Sequence, residues 1–322
     1  MSGTILVGII IITGFVFGEL ANKIKLPKVT GYIVAGIILS PDIAPFIPES
    51  FVKHTDIVTN ISLGIITFSV GGTLLISKIR SIGKQILRIT LLESSMAFIL
   101  VITGFILIAP FFLNIDNATY LTVYVPFSLM LGSLAAPTDP TATLAVSHEY
   151  QAKGKVMSSI MGVAAFDDAF GIVLYSIAIA FAGSLVSPEH IGLGPIAFNI
   201  VKEIFGALLI GTFIGFLFNQ VTRFIIDGAE GIFIVLVVGF LAICFGLAQL
   251  VEVDELLANM FMGFIVVNFN KKSDLIFKIL ERYTEQLIFV LFFTISGMHL
   301  DVFVLGDYFL LVLFFIIFRG MG

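Results

Sequence analysis

The chain has 322 residues, 58% of them hydrophobic and only 12% charged, with a mean hydropathy of +1.12. It repeatedly runs to about 20 apolar residues, the length at which a helix crosses a bilayer, which excludes a soluble single-core protein; the weak alternation of an outer-membrane barrel is absent. The net charge of −5 decides little, because the placement of Lys and Arg matters more than their sum in a membrane protein, and the single Cys244 excludes an internal disulfide or a cysteine-built metal cluster.

In chain order, eleven spans are predicted at roughly 3–22, 30–40 with a short continuation, 56–77, 89–112, 121–147, 156–182, 197–219, 231–250, 255–269, 286–300 and 307–322. The first passes straight into Gly18-Glu19-Leu20 without a small-residue cleavage site and reads as a retained helix. The second is short and glycine-punctuated (GYIVAGIILSP), and the fifth is interrupted by Pro137 and Pro140. Short or broken helices are where transporters build their sites. The segment KKSDLIFKILERYTEQ, before the tenth span, reads as an amphipathic helix lying on the inner membrane surface. The turn-rich connections PDIAPFIPES, NIDNATY and SLVSPEHIGLGP are too short for a soluble domain, so 1–322 reads as one membrane domain.

With the N-terminus outside, the inner loops receive Lys23, Lys25 and Lys28, then Lys78, Arg80, Lys84 and Arg88, then Lys153 and Lys155, then Arg223, then Lys271, Lys272, Lys278 and Arg282. These are fourteen of the 17 basic residues, an asymmetry that supports both the span count and the orientation.

The sixth span carries AAFDDAFG at 164–171. Asp167 and Asp168 follow Lys155 by 12 and 13 residues, roughly 18–20 Å along a helix, which places them near mid-membrane. Arg319 follows Asp307 by 12 residues and reaches a similar depth from the other side. An unpaired charge there costs from about 2.5 to over 10 kcal/mol, so pairing or an aqueous cavity is required. The bland alternative is a structural ion pair of Asp167 with Arg319. A second carboxylate beside the first argues for function.

The stretch APTDPTAT at 136–143 lies inside the fifth span. Pro137 and Pro140 remove backbone donors, so the helix opens there, unless it merely kinks. Opened backbone is tolerated at membrane depth where it is buried in protein or lines an aqueous cavity. Asp139 can neutralise the positive end of the resumed helix, and the oxygens of Thr138 and an ionised Asp168 suit a hard monovalent cation. Glu19 and Glu93 read as interfacial. His54, His148, His190 and His299 fall at loops or helix ends without metal-ligand spacing.

Together LPKVTGYIVAGIILSP at 26–41, APTDPTATLAVSHEYQAKG at 136–154, GVAAFDDAFGIVL at 162–174, FFTISGMHLD at 292–301 and FRGMG at 318–322 resemble the cation:proton antiporter superfamily, specifically its second prokaryotic branch of Kef- and Nap-like antiporters. The resemblance runs along the whole chain in order. It implies an all-α inverted-repeat membrane protein with discontinuous crossing helices, located in a prokaryotic inner membrane, homodimeric and without a cofactor. It also implies that relatives continue for two helices beyond Gly322. Asp168 resembles the family's essential cation- or proton-binding carboxylate, Asp167 the first member of the paired-aspartate version, Arg319 the basic residue facing the pair, and Thr138-Asp139-Pro140 the extended part of the crossing helices. Paired-aspartate members often have lysine where this chain has Arg319.

These parts predict a secondary transporter, not an enzyme, that exchanges sodium, potassium or lithium for protons. A carboxylate held away from water lets the two ligands compete for one seat, and the empty state is expected to pair Asp167 with Arg319. Three rival readings are weighed. A channel-like potassium efflux protein typically has Gln at the position of Asp167. A sodium-coupled organic solute carrier of similar architecture needs no aspartate pair. An intramembrane aspartyl protease places its two aspartates on different helices.

Overall fold

The computed structural model describes residues 3–113, 118–186, 193–224 and 230–322. His190 and parts of two predicted connections lie outside them. The helices are α1 Gly3–Lys23, α2 Lys28–Ile38, α3 Glu49–Val52, α4 Asp56–Gly72, α5 Ile76–Phe112, α6 Val125–Ala135, α7 Pro140–Glu149, α8 Lys155–Val186, α9 Leu193–Thr222, α10 Glu230–Val251, α11 Glu255–Phe269, α12 Ser273–Tyr283, α13 Glu285–Met298, α14 Val302–Asp307 and α15 Phe309–Met321. A π-helical turn at Tyr120–Tyr124 leads into α6, and no strand occurs among the described residues. Among the described residues, six segments are long and apolar enough to cross a membrane: 3–23, 83–112, 120–149, 155–186, 197–222 and 230–251. Shorter apolar helices cover 28–38, 255–269, 285–298 and 309–321.

The chain forms two compact units. The first comprises residues up to 76, 140–161 and 207–306. Within it α1, α2 and α13 pack together, as do α4, α10 and α11. Leu6, Ile10, Leu39, Ile47, Ile295 and Met298 form one of its buried cores. The closest seam is α4 on α11. A methyl added to Gly71 would lie 1.9 Å from the Met260 carbonyl oxygen, and one added to Gly263 would lie 2.1 Å from that of Phe68. Only glycine lets the two backbones meet so directly.

The amphipathic segment forms α12, but its apolar face turns into protein rather than lipid. Ile276, Ile279 and Leu280 are buried, and the Phe277 ring stacks on Phe68 with centroids 5.1 Å apart. Lys278, Glu281 and Arg282 stay exposed. The glycine at position 72 leaves the gap that the Phe277 ring fills.

A second difference concerns the basic run at 78–88, predicted as a loop. Helix α5 starts at Ile76 and runs straight through it. Asn268 of α11 sets the start: its Oδ1 accepts from the Ile76 amide at 2.8 Å while its Nδ2 donates to the Leu74 carbonyl at 3.0 Å. An orphan donor of the first turn is thereby satisfied.

The second unit comprises residues 77–139, 162–206 and 307–322. Val101, Phe105 and Ala135 are its buried centre, and Phe127, Leu131, Phe314, Phe315 and Phe318 pack against them. The Phe318 ring lies over Gly104 and edge-on to Phe105, with centroids 6.0 Å apart. That ring clamps α15 to α5 one residue before Arg319.

Candidate ion-binding site

The fifth span opens where its prolines require. Helix α6 ends at Ala135, residues 136–139 are non-helical, and α7 resumes at Pro140. Proline is at home in the first turn of a helix because its missing N–H is an orphan there anyway. Asp139, the residue before it, is exposed and occupies the cap position, where a carboxylate complements the helix dipole. Pro137 sits close against α8: a methyl added to Gly171 would lie 3.1 Å from the Pro137 Cβ. Gly171 therefore lets the opened backbone approach the aspartate-bearing helix.

The contacts of Asp167, Thr138, Glu93, Ser94 and Arg319 described next lie within the second unit. Asp167 is completely buried. Its Oδ1 accepts a hydrogen bond from the Ser94 hydroxyl. Asp168, the next residue, is half-buried. At 3.6 residues per turn the two carboxylates leave α8 in directions about 100° apart.

Arg319 does not pair with Asp167. Its Nη2 lies 2.6 Å from Glu93 Oε1 and donates to Thr138 Oγ1 at 2.8 Å, and Thr138 Oγ1 in turn donates to Glu93 Oε1 at 3.4 Å. Glu93, read as interfacial, is thus central. Depth along the helix did not point to it; what brings it in is its place next to Ser94, on the face of α5 that meets Arg319 and Asp167. The available signal was an ionisable residue in the run LLESSMAF.

Three buried oxygens face this region from the same two helices without a hydrogen-bond partner among the described residues: Asp167 Oδ2, Glu93 Oε2 and Thr90 Oγ1. Thr90, Glu93 and Ser94 follow a three- and four-residue spacing and share one face of α5. Carboxylate and hydroxyl oxygens of this kind suit a hard cation. Of the residues singled out from sequence, Thr138, Asp167 and Arg319 are drawn together around Glu93 and Ser94, Asp168 is adjacent on α8, and Asp139 faces outward.

The first unit holds a separate polar cavity of about 410 Å³, lined in part by Lys28, Tyr32, His148, Glu149, Glu281 and Glu285. There Glu285, 5% exposed, lies 2.5 Å from His148 Nδ1.

The profile of the family described as transmembrane sodium/hydrogen exchangers matches residues 7–321. The chain is 24% identical over 212 residues to the Na+/H+ antiporter NhaH of Halobacillus aidingensis, covering 63% of this chain and 49% of that protein. It is 22% identical over 293 residues to the ammonium/H+ antiporter subunit AmhT of Alkalihalophilus pseudofirmus, covering 90% and 68%. The chain thus spans about half the length of the first relative and two thirds of the second. Among solved structures, the sodium proton antiporter MjNhaP1 of Methanocaldococcus jannaschii has the same fold, with a TM-score of 0.73 over 98% of this chain and 75% of that one, at 19% identity.

Proposed function

Because the chain belongs to the transmembrane sodium/hydrogen exchanger family, we propose that it is a secondary transporter, not an enzyme, exchanging a monovalent cation for protons by alternating access. Sodium is the first choice of cation and potassium or lithium the others. The observation that carries this reading is the buried Asp167, beside Asp168 and against the opened backbone at 136–139, within helices long and apolar enough to span a bilayer. A charge at such depth is retained for function, and opened backbone there implies a cavity.

In this reading Asp168 is the seat contested by cation and proton, with Asp167 as its partner. Thr138 contributes a hydroxyl, Pro137 and Pro140 keep the helix open, and Asp139 caps the resumed helix. Arg319 compensates charge, through Glu93. The buried oxygens without partners, Asp167 Oδ2, Glu93 Oε2 and Thr90 Oγ1, support a cation site. Occupation by a cation excludes the proton and the reverse, so exchange follows if the loaded protein changes its exposed face more readily than the empty one.

The six long helices, the four shorter apolar ones and α4 together make about eleven passes. The distribution of Lys and Arg supports an N-terminus on the outside; a prokaryotic inner membrane is the proposed location and a homodimer the proposed assembly.

The test is reconstitution into proteoliposomes carrying an inward proton gradient, with a pH-sensitive dye read while sodium, lithium or potassium chloride is added. Cation-dependent dequenching that vanishes in Asp168→Asn and persists with an altered pH dependence in Asp167→Asn is the expected result. Full activity in Asp168→Asn refutes the assignment, and no response of the wild type to any cation refutes the antiport itself.

A further inference from the structure

Arginine keeps its proton at any pH relevant to a cell, so a guanidinium among the site's carboxylates must be neutralised by one of them. Which carboxylate does so decides what the others are left to bind. The charged groups around Asp167 are Asp168 on its own helix, Asp139 at the opened backbone, Glu93 on α5 and Arg319 on α15. Arg319 is engaged at 2.6 Å by Glu93 and at 2.8 Å by the Thr138 hydroxyl. Asp167 instead receives the hydroxyl of Ser94, the residue next to Glu93. Two consecutive residues of α5 therefore send the guanidinium and the aspartate to different partners. The Phe318 ring over Gly104, about three turns further along α5, and Gly322 close against Ala97, about one turn from Glu93, hold α15 on α5, so the division is built into the packing.

We infer that Glu93 is the resident counter-ion of Arg319, a positioning residue that keeps the guanidinium off Asp167 and so leaves this carboxylate free to support Asp168 in holding the transported cation or the proton. The inference deepens the antiporter reading and rests on it for its transport readout. A merely structural Glu93 would glue α5 to α15, and its loss would lower activity without moving the pH profile. A counter-ion predicts something different. Without Glu93 the guanidinium falls on Asp167, competes with the cation and favours the ionised carboxylate. Both effects have a sign: the KM for the cation rises, and the pH of half-maximal exchange falls.

The experiment compares wild type, Glu93→Gln, Arg319→Gln and the double variant in the same proteoliposomes, with melting temperatures measured in detergent. For Glu93→Gln the expected result is a KM raised about tenfold and a half-maximal pH lower by about one unit, the two being equivalent in free energy. The double variant, which removes both charges, should return each value to within about twofold of wild type. Unchanged KM and pH profile in Glu93→Gln, or a double variant whose losses simply add, overturns the inference.

If the wild type exchanges no cation, the antiporter reading fails, and the melting temperatures decide the inference alone. Glu93→Gln should then melt below wild type and the double variant should recover. A double variant melting no higher than Glu93→Gln refutes the pairing. Should Glu93→Gln not fold, recovery of folding in the double variant supports the counter-ion role, and failure of both overturns it.

Discussion

The seam between α4 and α11 predicts that Gly263→Ala destabilises the protein while chemically identical changes elsewhere do not. The added methyl would lie 2.1 Å from the Phe68 carbonyl oxygen and 3.2 Å from the Gly72 nitrogen. Ordinary non-bonded contact begins near about 3.5 Å, so the helices must separate by roughly 1 Å. The obstacle is backbone, and Phe68 is fully buried with its ring against Phe277 and Phe218, so no flexible side chain can yield. Overpacking of this kind costs up to about 3 kcal/mol, offset by about 1 kcal/mol from the better helix propensity of alanine. At an unfolding entropy of about 2.1 cal/mol/K per residue, the net loss of about 2 kcal/mol lowers Tm by about 3 °C for a chain of this length. The control is Gly239→Ala in α10, where a methyl meets nothing within 4 Å and Tm should rise by about 1 °C. The assay is thermal loss of the monodisperse peak in detergent. Equal melting of the two variants would refute the argument from backbone contact.

Three further outcomes follow from single contacts. Ser94→Ala removes the hydroxyl donated to Asp167; a net hydrogen bond to a charged group is worth about 1.5 kcal/mol or more, so KM for the cation should change at least tenfold with little change in Tm. His148→Ala leaves the buried Glu285 without its partner, which costs roughly 3 kcal/mol; adding Glu285→Gln should recover most of the Tm, and a further loss would count against the pair. Asp254 caps α11 by accepting from the Leu257 amide at 2.6 Å, yet burial pushes its carboxyl above the usual range. Because the folded value is raised, its contribution is fully present below the unfolded value near about 4 and is lost as pH rises through the folded one. Asp254→Asn caps equally well without the charge; it should melt at or above wild type at pH 7, with the advantage vanishing at low pH, and a Tm below wild type at pH 7 would contradict this.

The burial of Asp167 and the opening at Pro137 and Pro140 were legible because each rests on local chemistry: a charge in an apolar run, a donor missing from a helix. The partner of Arg319 was not. Depth along a helix places residues in a plane but does not say which neighbours across helices meet. Ranking Glu93 above Asp167 required knowing which face of α5 packs against α15, and that packing is set by contacts such as the Phe318 ring over Gly104, more than two hundred residues apart in the chain. Helix α12 was legible as amphipathic, but its pattern is the same whether the apolar face meets lipid or protein. Only the space left beside Gly72, and filled by Phe277, decides between them.

The glycine seam also limits how the first unit can move. Side chains that interdigitate can slide by exchanging rotamers, but two backbones in direct contact have no such freedom. Helices α4 and α11, almost two hundred residues apart in the chain, therefore behave as a single rigid strut. Any conformational cycle must carry them together, and flexibility has to be sought in segments that lack such contact, among them the four non-helical residues before Pro140.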